Sequence, residues 1–168
     1  MNLLLTGVPG VGKSTLINKL LNRLAPQLKR SVGGYYTTRT VTDSGRTFYL
    51  NDHRTGEQVR MASWLNSEMD VNFAAFDDFG VRSVKSALEL NGIIVLDELG
   101  RFEEPCAAFK AAVHSALDSG KLVLGVLKVC ETPFIDGIKA RSDVTVYTVT
   151  EQNRDAAFME LLELAYKS

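Results

Sequence analysis

Residues 7–14, Gly-Val-Pro-Gly-Val-Gly-Lys-Ser, fit the spacing G-x-x-x-x-G-K-[ST] directly after a short apolar stretch. The glycines of such a loop let the backbone aim successive N–H groups at phosphate oxygens, and the next helix adds its positive end. In this chemistry Lys13 reaches the β- and γ-phosphates as a catalytic group, and Ser14 ligates Mg²⁺. The motif therefore predicts a P-loop for ATP, GTP or a related triphosphate with Mg²⁺, formed by Gly7, Val8, Pro9, Gly10, Val11, Gly12, Lys13, Ser14 and Thr15.

A second acidic motif, Leu96-Asp97-Glu98, follows the apolar run Ile93 to Leu96. An acidic pair at the carboxyl end of a buried strand is typical of a Walker B motif, which completes a P-loop site. We expect Asp97 to hold Mg²⁺, mainly through a coordinated water, and Glu98 to accept a proton from the attacking water or to orient it. The pair predicts metal-assisted phosphoryl chemistry.

Asp97-Glu98-Leu99-Gly100 also fits the D-x-x-G of a GTPase switch. A regulatory GTPase reads guanine with N-K-x-D or T-K-x-D, and no K-x-D triplet occurs in the chain. Glu98 beside Asp97 favours a hydrolytic, ATPase-like arrangement instead.

A P-loop hydrolase usually gains rate from an arginine that offsets charge on the transferring phosphoryl group. Four arginines lie in predicted loops or helix ends: Arg39, Arg101, Arg141 and Arg154. Arg141 is selected as the catalytic candidate because it precedes the last predicted strand, near the edge where we expect it to reach the γ-phosphate.

The elements that position these residues alternate between strands and helices. The first helix is expected to stop near Pro26, and strands near 32–40, 46–51 and 57–62 form a β-meander insertion. The remaining predicted elements are a helix over 79–90, a strand over 93–96, a helix opened by Pro105, a strand over 122–126, a short helix over 133–140, a strand over 144–149 and a terminal helix capped by Thr150. This order predicts an α/β fold of the P-loop NTPase type, a RecA-like parallel sheet with helices on both faces and ligand beyond the strands' carboxyl ends.

Length, net charge and apolar content limit the classes of protein to which the chain can belong. The 168 residues fit a single P-loop NTPase domain over 1–168, and a net charge of −1 gives no strong sign of nucleic-acid binding. No apolar run approaches the roughly 20 residues that span a bilayer, and no basic leader precedes the first strand, so we expect no membrane partner and a cytoplasmic location. Cys106 and Cys130 lack zinc-site spacing and are expected to be reduced thiols.

Four segments resemble, in order and spacing, the small P-loop nucleoside-triphosphatase family: GVPGVGKST, GGYYTTRT, IIVLDELGRFEE and VTVYTVTEQNRD. The resemblance spans nearly the whole chain, and DELGRFE against the family's D-E-I-G-K-M-E is fairly specific. It implies a RecA-like fold, a structural likeness to nucleotide kinases, and Mg²⁺-dependent hydrolysis of several nucleoside triphosphates to diphosphate and phosphate. It also places Glu103 on the family's second acidic residue.

The chain departs from the family pattern at three positions that bear on the site. Arg101 replaces a usual lysine, Phe102 a usual methionine, and Lys128 stands where a small polar residue or a histidine is expected. Three functions follow from the residues and the resemblance together: a nucleoside-triphosphatase, a kinase that passes the γ-phosphate to a nucleotide or small metabolite, and a nucleotide-gated binding protein. The first is favoured.

Overall fold

A computed structural model of the protein describes residues 1–166, which form a mixed eight-stranded sheet with helices packed against it. The strands are β1 Asn2–Thr6, β2 Ser31–Thr42, β3 Gly45–Asp52, β4 Gln58–Leu65, β5 Glu68–Val71, β6 Gly92–Leu99, β7 Val123–Leu127 and β8 Val144–Thr148. The helices are α1 Lys13–Leu28, α2 Val81–Glu89, α3 Ala107–Asp118, α4 Pro133–Lys139 and α5 Arg154–Tyr166, with a π-helical turn over Ala75–Gly80. In the part of the chain described, no helix has the length and apolar character needed to cross a membrane.

The sheet has the order β5-β4-β3-β2-β6-β7-β1-β8, and its β2, β6, β7, β1 and β8 strands pair in parallel. Parallel strands end at the same edge of a sheet, so the residues after β1, β6 and β7 lie beside one another there. This arrangement confirms the predicted α/β fold.

Alternating side chains of the parallel strands pack on opposite faces of the sheet. Leu4 of β1 belongs to one core with Phe109 of α3, whereas Leu3 and Leu5 belong to the other with Leu20 of α1. All five side chains are fully buried. At about 1.5–3 kcal/mol for each buried leucine or phenylalanine side chain, these two cores hold β1 rigidly beneath the P-loop.

The predicted meander is an extension of the main sheet. Residues Ser31 to Tyr36 of β2 pair with β6, while β3, β4 and β5 continue from β2 as antiparallel strands. The sequence did not indicate β5, because four residues with three exposed side chains carry too little apolar pattern.

Several boundaries differ from the sequence-based expectation. α1 continues through Pro26 to Leu28, since a proline in the last turn costs a single donor and the N–H groups of Lys29 and Arg30 close the helix. α3 begins at Ala107, after the predicted Pro105. Thr150 does form the expected capping bond, because its hydroxyl accepts from the Asn153 N–H at 3.2 Å, although α5 itself begins at Arg154.

Candidate active site

The P-loop connects β1 to α1 with glycines in conformations that other residues rarely adopt. Gly7, Gly10 and Gly12 have φ angles of 138°, 82° and 109°. A side chain at Gly7 would also collide with the Val149 carbonyl oxygen, which lies 2.3 Å from an ideal Cβ position. The loop therefore takes a shape that only this glycine pattern allows, and it ends at the N-terminus of α1, where free N–H groups favour an anion.

Lys13 is the first residue of α1 and is 8% exposed. Its ammonium group donates to the carbonyl oxygens of Gly7 and Val8 at 2.8 and 2.9 Å. Burial lowers the pKa of Lys13, while the charges of Glu98 and Asp97 act in the opposite direction. The ammonium thus lies within the loop, where bound phosphates would meet it.

Ser14 and Asp97 meet across the carboxyl edge of the sheet. The Ser14 hydroxyl donates to Asp97 Oδ1 at 3.3 Å, although the two residues are 83 positions apart in sequence. Asp97 is 4% exposed, and burial raises its pKa to about 6 in spite of the Ser14 hydrogen bond. A buried carboxylate beside a hydroxyl is a hard-oxygen donor set that fits Mg²⁺.

Glu98 follows Asp97 at the end of β6 and lines the cleft above the P-loop. The peptide bond between these two residues is cis, and the pairing of β6 with β7 shifts register there. Glu98 Oε1 lies 2.8 Å from Lys128 Nζ, and the Glu98 side chain is 25% exposed. The predicted catalytic carboxylate is therefore ion-paired with a lysine from the neighbouring strand end, a contact that the sequence analysis missed. The contact depends on the pairing of β6 with β7, which the structure shows.

Glu103 is a buried acidic residue of the turn after β6, with 3% of its surface exposed. It accepts a hydrogen bond from the Gly100 N–H at 3.0 Å and so holds the turn that follows β6. Burial raises the pKa of Glu103 to about 7, with the Lys128 charge opposing the shift. The buried acid thus supports the segment that carries Glu98.

The cleft has a volume of about 1440 Å³ and extends from the P-loop to the β2–β3 hairpin. Lys13, Ser14, Glu98 and Lys128 lie along its base, and the hairpin supplies its other wall. Arg39 and Arg101, two of the four predicted arginine candidates, also line it.

The structure does not bring Arg141 to this cleft. Arg141 precedes β8, and β8 begins opposite Asn2, the first residue of β1, whereas the P-loop follows the last. Its guanidinium pairs with Asp118 and Asp143, each at 2.6 Å, and these bonds raise its pKa. The prediction that Arg141 lies near the γ-phosphate is thus corrected, and Arg141 lies at the opposite edge of the sheet. It precedes β8, whereas the P-loop follows β1, and the start of one parallel strand lies far from the end of its neighbour. Arg154 lies at the start of α5 with Asp155 3.9 Å away, and it does not line the cleft.

Comparison with known proteins agrees with this geometry. The sequence model of the family described as NTPase matches residues 2–162. The chain belongs to the NTPase family. It is similar to the nucleoside-triphosphatase THEP1 of Thermotoga sp. (strain RQ2), with 32% identity over 98% of this chain and 95% of that protein. THEP1 of Methanocaldococcus jannaschii is 32% identical over 96% and 95% of the two chains.

A solved structure has the same fold as this chain. The crystal structure of THEP1 from Aquifex aeolicus superimposes with a TM-score of 0.79 at 25% identity, covering 98% of this chain and 99% of that one. The resemblance inferred from the P-loop and the DELGRFE segment is therefore confirmed, as is the P-loop NTPase fold.

Proposed function

We propose that the chain is a Mg²⁺-dependent nucleoside-triphosphatase that hydrolyses the γ-phosphate of ATP, GTP and other nucleoside triphosphates to diphosphate and phosphate. The observation that carries this proposal is the convergence of Lys13, Ser14, Asp97 and Glu98 beyond the carboxyl ends of β1 and β6, the two neighbours of β7. Its similarity to proteins named nucleoside-triphosphatase over nearly the full chain supports the same activity.

Each residue has a distinct role in the proposed reaction. The P-loop N–H groups and Lys13 bind the β- and γ-phosphates, and Ser14 and Asp97 hold Mg²⁺. When bound, Mg²⁺ neutralises charge on the phosphate oxygens and orients them for in-line attack. Glu98 orients a water molecule and takes its proton as the water oxygen bonds to the γ-phosphorus. The bond from that phosphorus to the bridging oxygen breaks, and the nucleoside diphosphate leaves with the electron pair.

Broad use of bases follows from the absence of a guanine-reading K-x-D motif. Strong rejection of one base requires buried hydrogen-bond partners dedicated to another, so we propose that ATP, GTP, CTP and UTP are hydrolysed with efficiencies within about tenfold of one another. A preference above about 10³ for GTP would contradict this proposal.

The test of the proposed activity is release of inorganic phosphate from purified protein, with ATP and Mg²⁺ and without any acceptor. We expect slow release, below about 1 s⁻¹, the scale of P-loop triphosphatases that act without an arginine supplied by a partner protein. Chelation with EDTA should abolish the release, and excess Mg²⁺ should restore it. Phosphate release that persists in EDTA would refute metal dependence, and the absence of release under any condition would refute hydrolysis.

A kinase is the second candidate, and the size of the cleft favours it. A volume of about 1440 Å³ exceeds the roughly 300–1,000 Å³ of most single-ligand pockets, which leaves room for an acceptor beside the triphosphate. Nucleoside monophosphates, nucleosides and sugars should therefore be added one at a time to the hydrolysis assay. An acceptor that raises ATP consumption at least tenfold and becomes phosphorylated would replace hydrolysis with kinase activity.

A further inference from the structure

Lys128 lines this cleft and is ion-paired with Glu98, yet the proposed reaction gives it no role. It directly follows β7, and its backbone N–H donates to the Leu99 carbonyl at 2.8 Å, which fixes its main chain beside the end of β6. Its side chain is 39% exposed and its ammonium group lies 2.8 Å from Glu98 Oε1. Lys128 is therefore anchored at its backbone and open to the cleft at its tip.

The aliphatic part of the Lys128 side chain lies close to Gly100, and its ammonium group lies near the Phe102 ring. An ideal Cβ on Gly100 would come within 2.7 Å of Lys128 Cδ, so the glycine leaves the space that the stem occupies. The Phe102 ring lies on another side, with its centroid 5.6 Å from Lys128 Nζ. These contacts place the ammonium at the end of β6, beside Glu98.

The charge of Lys128 also reaches the P-loop lysine. Burial is the main cause that lowers the pKa of Lys13; the charges of Glu98 and Asp97 oppose this decrease, and the charge of Lys128 adds a smaller one. Lys13 and Lys128 both line the cleft. A P-loop lysine such as Lys13 contacts the β- and γ-phosphates. A γ-phosphate bound there would therefore lie within the same group of charges as the Lys128 ammonium.

The ion pair limits the carboxylate of Glu98 in its proposed role. The ammonium group 2.8 Å away engages Oε1 and fixes the orientation of the carboxylate, which leaves Oε2 as the oxygen without this contact for a water molecule. A triphosphate offers Lys128 a partner of higher negative charge than one carboxylate. Transfer of Lys128 to the γ-phosphate would keep the ammonium paired with a negative charge and leave both carboxylate oxygens of Glu98 open to water.

We propose that Lys128 recognises the γ-phosphate: it leaves Glu98 when a triphosphate binds, pairs with γ-phosphate oxygens, and thereby frees Glu98 for the attacking water. This inference rests on the proposed hydrolysis of triphosphates and adds a substrate-sensing residue to it. Because a diphosphate lacks the γ-phosphate, Lys128 stays on Glu98 when a diphosphate is bound. Lys128 thus distinguishes substrate from product, whereas the P-loop binds the phosphates that both share.

The experiment compares the affinities of the full chain for a non-hydrolysable β,γ-imido triphosphate and for the diphosphate, both with Mg²⁺, by isothermal titration calorimetry. We expect Lys128→Gln to weaken analogue binding about tenfold or more, the scale of a hydrogen bond to a charged group, and to leave diphosphate binding unchanged. Lys128→Arg keeps the positive charge and should recover most of the loss.

Lys139→Gln is the matched control. Lys139 is a partly exposed lysine of α4 whose ammonium lies 3.8 Å from Asp136, and it does not line the cleft. Its replacement removes the same charge and should change neither affinity. A similar loss in this variant would assign the effect to net charge and overturn the role of Lys128.

Gly100→Ala tests the position of the Lys128 side chain without altering its charge. The φ angle of Gly100 lies outside the left-handed region, so alanine fits the backbone and its methyl group displaces the Lys128 stem. We expect a selective loss of analogue affinity in the wild-type background and no further loss in the Lys128→Gln background. Equal losses in both backgrounds would show that Gly100 acts independently of Lys128.

The outcomes separate this inference from the proposed function. Wild-type protein that neither binds the analogue nor releases phosphate would refute the triphosphatase itself. Hydrolysis by the wild type, together with wild-type analogue affinity in Lys128→Gln, would refute the sensing role alone. An equal loss of triphosphate and diphosphate affinity in Lys128→Gln would also refute it, because Lys128 would then contact phosphates that are common to both ligands.

Discussion

Replacing Glu103 with glutamine should stabilise the protein above neutral pH and have little effect in acid. Glu103 is 3% exposed, and burial raises its pKa from the ordinary 4.5 to about 7. The folded protein therefore keeps this proton between pH 4.5 and 7 while the unfolded chain loses it. Stability contributed by this group is fully present below the unfolded pKa and is lost as the pH rises through the folded one.

The size of the effect follows from that shift. At 1.36 kcal/mol per pKa unit, the rise from 4.5 to about 7 corresponds to about 3 kcal/mol of destabilisation once Glu103 is charged. Relaxation around the charged group reduces this figure, so we expect Glu103→Gln to raise the free energy of unfolding by about 1–3 kcal/mol at pH 8. Glutamine keeps an oxygen that can accept from the Gly100 N–H.

Urea denaturation followed by far-UV circular dichroism, at pH 5, 6, 7 and 8, measures this effect as the difference between variant and wild type. That difference removes the contributions of other titrating groups, such as Asp97. Glu104→Gln is the control, since hydrogen bonding from the Phe134 N–H lowers the pKa of the adjacent Glu104 and its replacement should give no gain at pH 8. A stability difference for Glu103→Gln that is equal at pH 5 and pH 8 would refute the reasoning.

Three further predictions concern two residues of the site and Arg141, which lies outside it. Glu98→Gln should bind the β,γ-imido analogue at least as tightly as wild type in calorimetry yet lose about 10²-fold or more in phosphate release, and unchanged turnover would remove Glu98 from its catalytic role. Lys13→Ala should weaken both analogue binding and turnover, because its ammonium lies in the loop that holds the phosphates; full-strength binding would contradict the P-loop assignment. Arg141→Gln removes the ion pairs with Asp118 and Asp143 and should lower the free energy of unfolding in urea by no more than about 1 kcal/mol. It should leave phosphate release near the wild-type rate. A loss of rate of about 10²-fold would show that Arg141 reaches the site from outside the cleft.

The parts of the site that were predictable from sequence are those encoded by local spacing. The P-loop is one short run between a strand and a helix, and Asp97 and Glu98 follow an apolar strand that can lie only inside a sheet. Both were expected at the carboxyl edge, where the structure places them. The parallel core was predictable for the same reason, because buried strands alternate with helices along the chain.

Contacts across the sheet were not predictable in the same way. The pair between Lys128 and Glu98 joins residues 30 positions apart and depends on β6 and β7 being neighbours, which local pattern does not specify. The location of Arg141 could have been deduced, since it precedes a strand parallel to β1 while the P-loop follows β1. β5 lacks an apolar pattern because its side chains are mostly exposed.

The two halves of β2 differ in how their backbones are held. Residues Ser31 to Tyr36 pair with β6 inside the sheet, and Tyr35 and Tyr36 also pair with β3, whereas residues 37–42 pair with β3 alone and form a wall of the cleft. In hydrogen–deuterium exchange the inner half should be protected to nearly the level of global unfolding, and the outer half should exchange through local opening. Because residues 37–42 do not pair with β6, we expect insertions and substitutions there to leave the pairing of β2 with β6 intact. The rim of the cleft is therefore the segment in which ligand preference can diverge during evolution at little cost to the machinery beneath it.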